Sequence, residues 1–192
     1  MFDILLSHIQ EKVDIDEKQI ELLKSFFTQK KLGKKQYLLQ EGDICRYLAF
    51  VSKGILKSYI LDEKGIERIN LFAFEGWWIS DLNSFLNEEK AVLNIDAIED
   101  SELLLISRDN YEELTLQIPV MDRYFRLLYQ SSLITKDQRL IISNTFTAEE
   151  KYLQLVKKHP EITQKLSHAL IASYLGLSPE TISRIRKKIS LG

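Results

Sequence analysis

Ser167-His168-Ala169-Leu170-Ile171-Ala172-Ser173-Tyr174-Leu175-Gly176-Leu177-Ser178-Pro179-Glu180-Thr181-Ile182-Ser183-Arg184-Ile185-Arg186-Lys187-Lys188-Ile189 reads as two short helices broken at Gly176. Ile171 and Leu175 lie four apart on the first helix, and Ile182, Ile185 and Ile189 three and four apart on the second, so each presents one apolar side. His168 is expected at the first helical position, and Ala172 falls where two helices cross closely. Gly176 supplies a positive φ to end the first helix, and Leu177 is expected to turn into the core. Ser178 then caps the second helix, with Pro179 at its first position and Glu180 in its first turn. Together these constraints predict a helix-turn-helix.

With Ile182, Ile185 and Ile189 facing inward, the outer face of the second helix shows Glu180, Thr181, Ser183, Arg184, Lys187 and Lys188. An Arg can bond guanine O6 and N7 together, and a Glu can accept from cytosine N4. Ser178, Thr181, Lys187 and Lys188 suit phosphate oxygens, as does the helix N-terminus itself. The competing reading is a plain helical hairpin with a solvated charged face. Charge favours nucleic acid: from Lys151 onward eight Lys and Arg stand against two acidic residues, Glu161 and Glu180, while the whole chain carries a net −2. A basic end on an acidic body marks a contact with nucleic acid or another anionic surface.

Outward from this segment the apolar pattern changes. Thr147 and Glu150 form a capping box that opens a helix ending near His159-Pro160, and a domain boundary is expected at 145–147. Before it, Pro119 starts a helix running to about Asn144, along which Met121, Tyr124, Leu128, Ser131, Thr135, Gln138 and Ile142 recur at 3-4 spacing. That stripe either forms a seam with a second copy or packs on the chain's own β unit; Phe125 and Leu133 lie off it. Ser107 can cap a shorter helix through Leu116. Between about 30 and 107 the runs Tyr37–Leu39, Tyr47–Val51, Ile55–Leu61, Ile69–Phe74, Leu93–Ile98 and Leu103–Ile106 read as strands. Gly42, Gly54, Gly65 and Gly76, spaced 12, 11 and 11 residues apart, set the turn interval of a small antiparallel sandwich or barrel. At the N-terminus Asp16 can cap a helix in which Ile20, Leu23 and Phe27 repeat.

Several classes are excluded. With 45% hydrophobic and 28% charged residues the 192-residue chain has the composition of a globular protein. No apolar run approaches the ~18 residues of a membrane span, and the first ten residues lack the features of a secretory signal, so a cytoplasmic protein is expected. One cysteine, Cys45, allows neither an internal disulfide nor a thiolate cluster. His8, His159 and His168 all fall outside the β unit, so no metal site, no cofactor and no barrel-type metalloenzyme is expected. Cys45 beside Arg46 is either a redox group or an inert buried thiol.

A β-roll, a long helix and a C-terminal helix-turn-helix, in that order, resemble the cyclic-AMP receptor protein / fumarate-nitrate regulator (CRP/FNR) superfamily of bacterial transcription factors. Leu177-Ser178-Pro179-Glu180-Thr181-Ile182-Ser183-Arg184-Ile185 is similar to that family's recognition-helix signature, a Ser-Arg-Glu-Thr run followed by an Arg. The resemblance makes Glu180 and Arg184 the base readers and puts Ser178 and Thr181 on phosphates. Pro179 stands where the family has its first base-reading Arg, so a different target sequence is implied. The family's cyclic-nucleotide cassette has Gly-Glu for the ribose and, eleven residues on, Arg-Ser for the phosphate. Here Ser80-Asp81 and Ala91-Val92 occupy those places. Losing the Arg removes a charge-assisted pair of ~1.5–3 kcal/mol, which implies no tight binding of cyclic AMP or cyclic GMP. Trp78, Ser80, Asp81, Ala91 and Val92 remain the candidate pocket for some other ligand, with Asp81 alternatively an ordinary exposed carboxylate. Trp77 and Trp78, adjacent on a strand, point to opposite faces, so at least one is packing. The family usually continues into a β-hairpin wing beyond the recognition helix; this sequence stops at Gly192, so the wing is either naturally absent or cut off, and without it fewer phosphate contacts are expected.

The expected fold is α+β: an antiparallel β-roll of the cyclic-nucleotide-binding jelly-roll kind over 1–116, a dimerisation helix and hinge over 117–146, and a helix-turn-helix domain over 147–192. The expected function is a homodimeric, sequence-specific transcription regulator on double-stranded DNA with a near-palindromic operator. The expected dimer interface is Met121, Tyr124, Leu128, Ser131, Thr135 and Ile142, and the DNA-binding set is Ser178, Glu180, Thr181, Ser183, Arg184, Lys187 and Lys188. RNA polymerase and an unidentified small-molecule effector are the further partners the resemblance implies. The alternative is a ligand sensor or adaptor whose helical tail contacts protein.

Overall fold

Asp16 opens the second of two leading helices, α1 (Phe2–Gln10) and α2 (Glu17–Ser25), with a full capping box. Its carboxylate accepts from Gln19 N at 2.8 Å, and the Gln19 side chain accepts from Asp16 N at 3.1 Å. The helical repeat stops short of Phe27. That side chain is buried beyond α2, and the chain turns extended at Thr28. The computed structural model describes residues 1–160 and 162–191, with side chains as far as Ile189.

Eight strands follow: β1 (Thr28–Leu32), β2 (Tyr37–Leu39), β3 (Tyr47–Lys53), β4 (Leu56–Leu61), β5 (Glu67–Ala73), β6 (Trp78–Ile79), β7 (Asn94–Ala97) and β8 (Ser101–Ser107). They form two four-stranded sheets, ordered β1-β8-β3-β6 and β2-β7-β4-β5. The pairs β1–β8, β3–β8, β3–β6, β2–β7 and β4–β7 are antiparallel. Six strands fall where turn glycines and apolar runs place them. β1, with Gln29, Lys30 and Lys31, shows no apolar alternation, because it is a sheet edge with four exposed side chains of five. β6 is two residues long, too short for periodicity to reveal. Leu48–Val51 and Leu103–Ile106 are unbroken apolar runs because both faces of β3 and β8 are buried, one of them under helices. Gly54 turns β3 into β4 at φ +94°, and a Cβ there would stand 2.8 Å from Ser101 Cα, so neither the conformation nor the space admits a side chain.

Helix α3 (Leu82–Asn87) interrupts the strands; α4 (Arg108–Gln117), capped by Ser107, and α5 (Val120–Thr145) follow them. The start of α5 is planted in the roll core. Met121 and Tyr124 are fully buried and Phe125 nearly so. Tyr124 Oη accepts from Trp78 Nε1 at 2.9 Å and lies 2.7 Å from His8 Nδ1. Since the indole can only donate, the phenol satisfies all three groups by giving its own proton to a neutral His8. Trp78 is the inward tryptophan, among Phe27, Phe50 and Phe125, whereas Trp77 stacks edge-on to Phe74.

The chain divides into two compact units. The first comprises Met1–Ile60 and Asn70–Tyr129; the second takes in Leu61–Ile69 and the chain from Gln130 onward. In the second, α6 (Ala148–Lys158), α7 (Ile162–Lys165), α8 (His168–Leu175) and α9 (Pro179–Leu191) bury Tyr152, Leu155, Ile162, Leu166, Ile171, Ala172, Ile182 and Ile185. Thr147 and Glu150 make the expected capping box.

Burial, and next the Lys12 charge, lower the His8 pKa from its ordinary 6.5. The unfolded chain therefore binds the proton first, so stability is full above about pH 6.5 and falls as pH drops from there to the folded pKa. Urea unfolding across that window is expected to show the loss. It should vanish in His8→Gln, whose carbonyl oxygen still accepts from Tyr124.

Candidate nucleic-acid interface

The turn between α8 and α9 is set by backbone bonding. Gly176 at φ +67° ends α8; its N–H donates to Ser173 O at 3.2 Å, and Leu177 N–H to Ala172 O at 2.9 Å. This is the paired closure of a Schellman cap, for which a residue with φ > 0 is needed. Ser167 caps α8 through Leu170 N, and Ser178 Oγ accepts from Thr181 N at 3.2 Å, three residues into the turn it opens. Leu177 is half-buried. Ile189 departs from expectation: at 43% exposure it is not a core residue, because it lies near the end of α9, beyond the Ile182 and Ile185 contacts.

On the opposite face of α9, Glu180, Ser183, Arg184 and Lys187 follow i, i+3, i+4, i+7 and are all exposed, with Ser178 and Lys188 exposed beside them and Thr181 half-buried. The Glu180 carboxyl is held below its ordinary range by its own backbone N–H at the helix start and by the Ser178 hydroxyl. Arg184 has no hydrogen-bond or ion-pair partner among the described residues. Two neighbouring cations are engaged inside the domain, Lys188 with Glu149 Oε2 at 2.7 Å and Arg186 with His168 Nε2.

Of the predicted pocket residues, Asp81 and Val92 meet through a backbone hydrogen bond. Asp81 is 4% exposed, not a surface carboxylate. It caps α3 through Ser84 N at 3.2 Å and accepts from Val92 N at 3.0 Å and Leu93 N at 3.2 Å. Ala91 is buried and bonded to Asp43 O; Val92 is 63% exposed; Ser80 is half-buried; Trp78 faces the aromatic core. An open cavity of about 300 Å³ lies elsewhere, between buried Leu39, Cys45 and Ile95 and exposed Asp43, Arg46 and Tyr47. Burial raises the Cys45 thiol pKa, which points away from a reactive thiolate. No group of three metal-ligating side chains occurs among the described residues.

The expected seam on α5 also needs correction. Met121 and Tyr124 are sealed in the roll and unavailable to a second copy, and Leu128, Thr135 and Ile142 are half-buried, with Ser131 exposed. The unpartnered apolar side chains are Leu133 (61% exposed), Ile134 (58%), Leu140 (63%) and Ile141 (58%). Their signal was in the sequence, since each of the pairs 133/140 and 134/141 is spaced by one heptad.

Residues 29–117 match the cyclic nucleotide-binding domain family. Most of the chain is similar to solved transcription regulators. FixK2 from Bradyrhizobium japonicum matches at TM-score 0.74 and 20% identity over 86% of this chain and 85% of that one. The c-di-GMP-responsive global regulator CLP of Xanthomonas campestris matches at 0.68 and 19%, over 92% of each. A transcriptional regulator of the Crp/Fnr family from Eubacterium rectale matches at 0.69 and 18%, over 93% and 85%. A search of curated proteins finds no match. Residues 29–117 are thus similar to a cyclic nucleotide-binding domain, and the chain has the fold of the CRP/FNR transcription regulators. No helix among the described residues is long and apolar enough to cross a membrane.

Replacing Asp81 tests its structural role. Asp81→Ala orphans three backbone N–H groups and is expected to cost about 1.5–3 kcal/mol in denaturant unfolding, whereas Asp81→Asn, which keeps one acceptor, costs less.

Proposed function

We propose that this chain is a homodimeric, sequence-specific DNA-binding transcription regulator. The observation that carries the reading is the exposed stripe Glu180, Ser183, Arg184 and Lys187 on the second helix of a correctly capped helix-turn-helix. A helix of this kind enters the major groove with its N-terminal residues on base edges, so Arg184 and Glu180 read bases while Ser178, Thr181 and Lys187 hold phosphates. Lys188 joins them by exchanging Glu149 for a phosphate.

The second copy pairs through α5. Four large aliphatic side chains in a double heptad repeat form a stripe that one chain leaves in water, and a heptad repeat is self-complementary. Dimers of this kind place two reading helices about 34 Å apart, so the operator is a near-palindrome. Cyclic AMP is not the effector: Ala91 offers no charge to its phosphate, and the Asp81 carboxylate is already committed to backbone N–H groups. The proposal extends to an unidentified effector and to RNA polymerase as further partners.

Selection of duplexes from a randomised pool, read by fluorescence anisotropy across salt concentrations, tests the reading. Arg184→Ala is expected to cost about 1–3 kcal/mol and relax preference at one base pair, while Lys187→Ala weakens all duplexes alike and lowers the salt slope by about 1. Equal, salt-insensitive binding by all three proteins would sink the DNA reading in favour of a protein-binding tail. Separately, Ile134→Glu with Ile141→Glu should convert a dimer to a monomer in sedimentation equilibrium without changing the helical signal; persistence of the dimer rejects this seam.

A further inference from the structure

The open cavity of the roll is bounded on one side by a short strap, residues 43–46, that leads into β3. Its floor is Leu39, Cys45 and Ile95, all buried. Leu39 and Ile95 are register partners on β2 and β7, so their side chains stand together on one face of the sheet. Asp43 and Arg46, both exposed, line the mouth. All of these residues lie in the first compact unit, and none of Trp78, Ser80, Asp81, Ala91 and Val92 lines the cavity.

The strap is held in place by its own backbone, so the wall is formed before any ligand arrives. Gly42 N–H donates to Ala91 O at 2.8 Å, Ala91 N–H returns a bond to Asp43 O at 2.8 Å, and Asp43 N–H donates to Gln40 O at 3.1 Å. Cys45 N–H donates to Ser84 Oγ at 2.8 Å, and the Cys45 thiol donates to Tyr47 O at 3.4 Å. These bonds leave the two charged side chains over. Neither the Asp43 carboxylate nor the Arg46 guanidinium has a hydrogen-bond or ion-pair partner among the described residues, so the two do not neutralise each other.

That combination narrows the occupant. An apolar floor takes an apolar body. A guanidinium bonds a carboxylate through two parallel N–H donors, and a carboxylate accepts from an ammonium group. A phosphate or a dicarboxylate would set surplus negative charge against Asp43, and a diamine surplus positive charge against Arg46. A simple carboxylate or amine would answer only one of the two. A molecule with one charge of each sign answers both, and a volume of about 300 Å³, at the small end of ligand pockets, suits a single amino acid. We propose that this cavity binds a free α-amino acid with a large apolar side chain. Its carboxylate lies on Arg46, its ammonium on Asp43 and its side chain over Leu39, Cys45 and Ile95. The site belongs to the roll and asks nothing of α9, so it stands or falls apart from the DNA reading.

Calorimetric titration of the full-length protein, without DNA, with L-leucine, 4-methylpentanoate and isopentylamine tests the assignment. L-leucine is expected to bind about tenfold more tightly than either analogue, because each analogue forgoes one charge-assisted contact. Arg46→Gln should weaken L-leucine about tenfold and erase its advantage over isopentylamine, and Asp43→Asn should likewise erase its advantage over 4-methylpentanoate. Position is read separately. Cys45 is the only cysteine, so saturating L-leucine should slow its alkylation by iodoacetamide severalfold. Absence of binding at millimolar L-leucine overturns the proposal, as does equal binding of 4-methylpentanoate, or an alkylation rate that L-leucine leaves unchanged. Should either variant fail to fold, the three ligands and the alkylation rate on the wild type decide alone.

Discussion

The phenol of Tyr124 fixes the rotation of α5 about its own axis. Its oxygen bonds both Trp78 and His8, and its ring is enclosed with Met121 and Phe125. A helix turns 100° per residue, so pinning position 124 inward determines which later positions face away from the core. Leu133, Ile134, Leu140 and Ile141 are the consequence. Were α5 rotated by one residue, the anchor would lose its partners, and a different stripe would be offered to a second copy. The buried network in the roll and the dimer seam in the proposal are therefore two ends of one constraint, carried by a helix of 26 residues, about 39 Å long.

Local chemistry was the legible part of this sequence. Asp16, Ser107, Thr147 and Ser178 each act as the cap that their position implies, and Gly176 adopts its positive φ, because a cap depends only on residues within one turn. Strand positions were equally open where glycines bracket apolar runs. What escaped depended on partners distant in sequence. β1 is polar because it is an edge, and nothing in Thr28-Gln29-Lys30-Lys31 reveals that it lies along β8. The phase of α5 was misread because two apolar stripes overlap on it; the 3-4 pattern through Met121 and Tyr124 is the one that serves the roll. Asp81 was assigned to a ligand pocket or else to the surface, since its partners Val92 and Leu93 lie eleven and twelve residues away.

That reassignment bears on how the roll works. A carboxylate committed to three backbone N–H groups braces α3 against the segment before β7. Beside it lies the buried methyl of Ala91. On α9 the charges are distributed otherwise: Arg186 and Lys188 are engaged by the domain's own His168 and Glu149, whereas Arg184 has no partner among the described residues.

Hydroxyl-radical footprinting of the full-length protein on its selected duplex tests the central claim most directly, because it reads the DNA face and the dimer seam at once. Two α9 helices carried by a symmetric pair should protect two equivalent half-sites whose centres lie one helical turn, about 10 base pairs, apart. Protection of a single half-site, or uniform protection without register, would contradict the account.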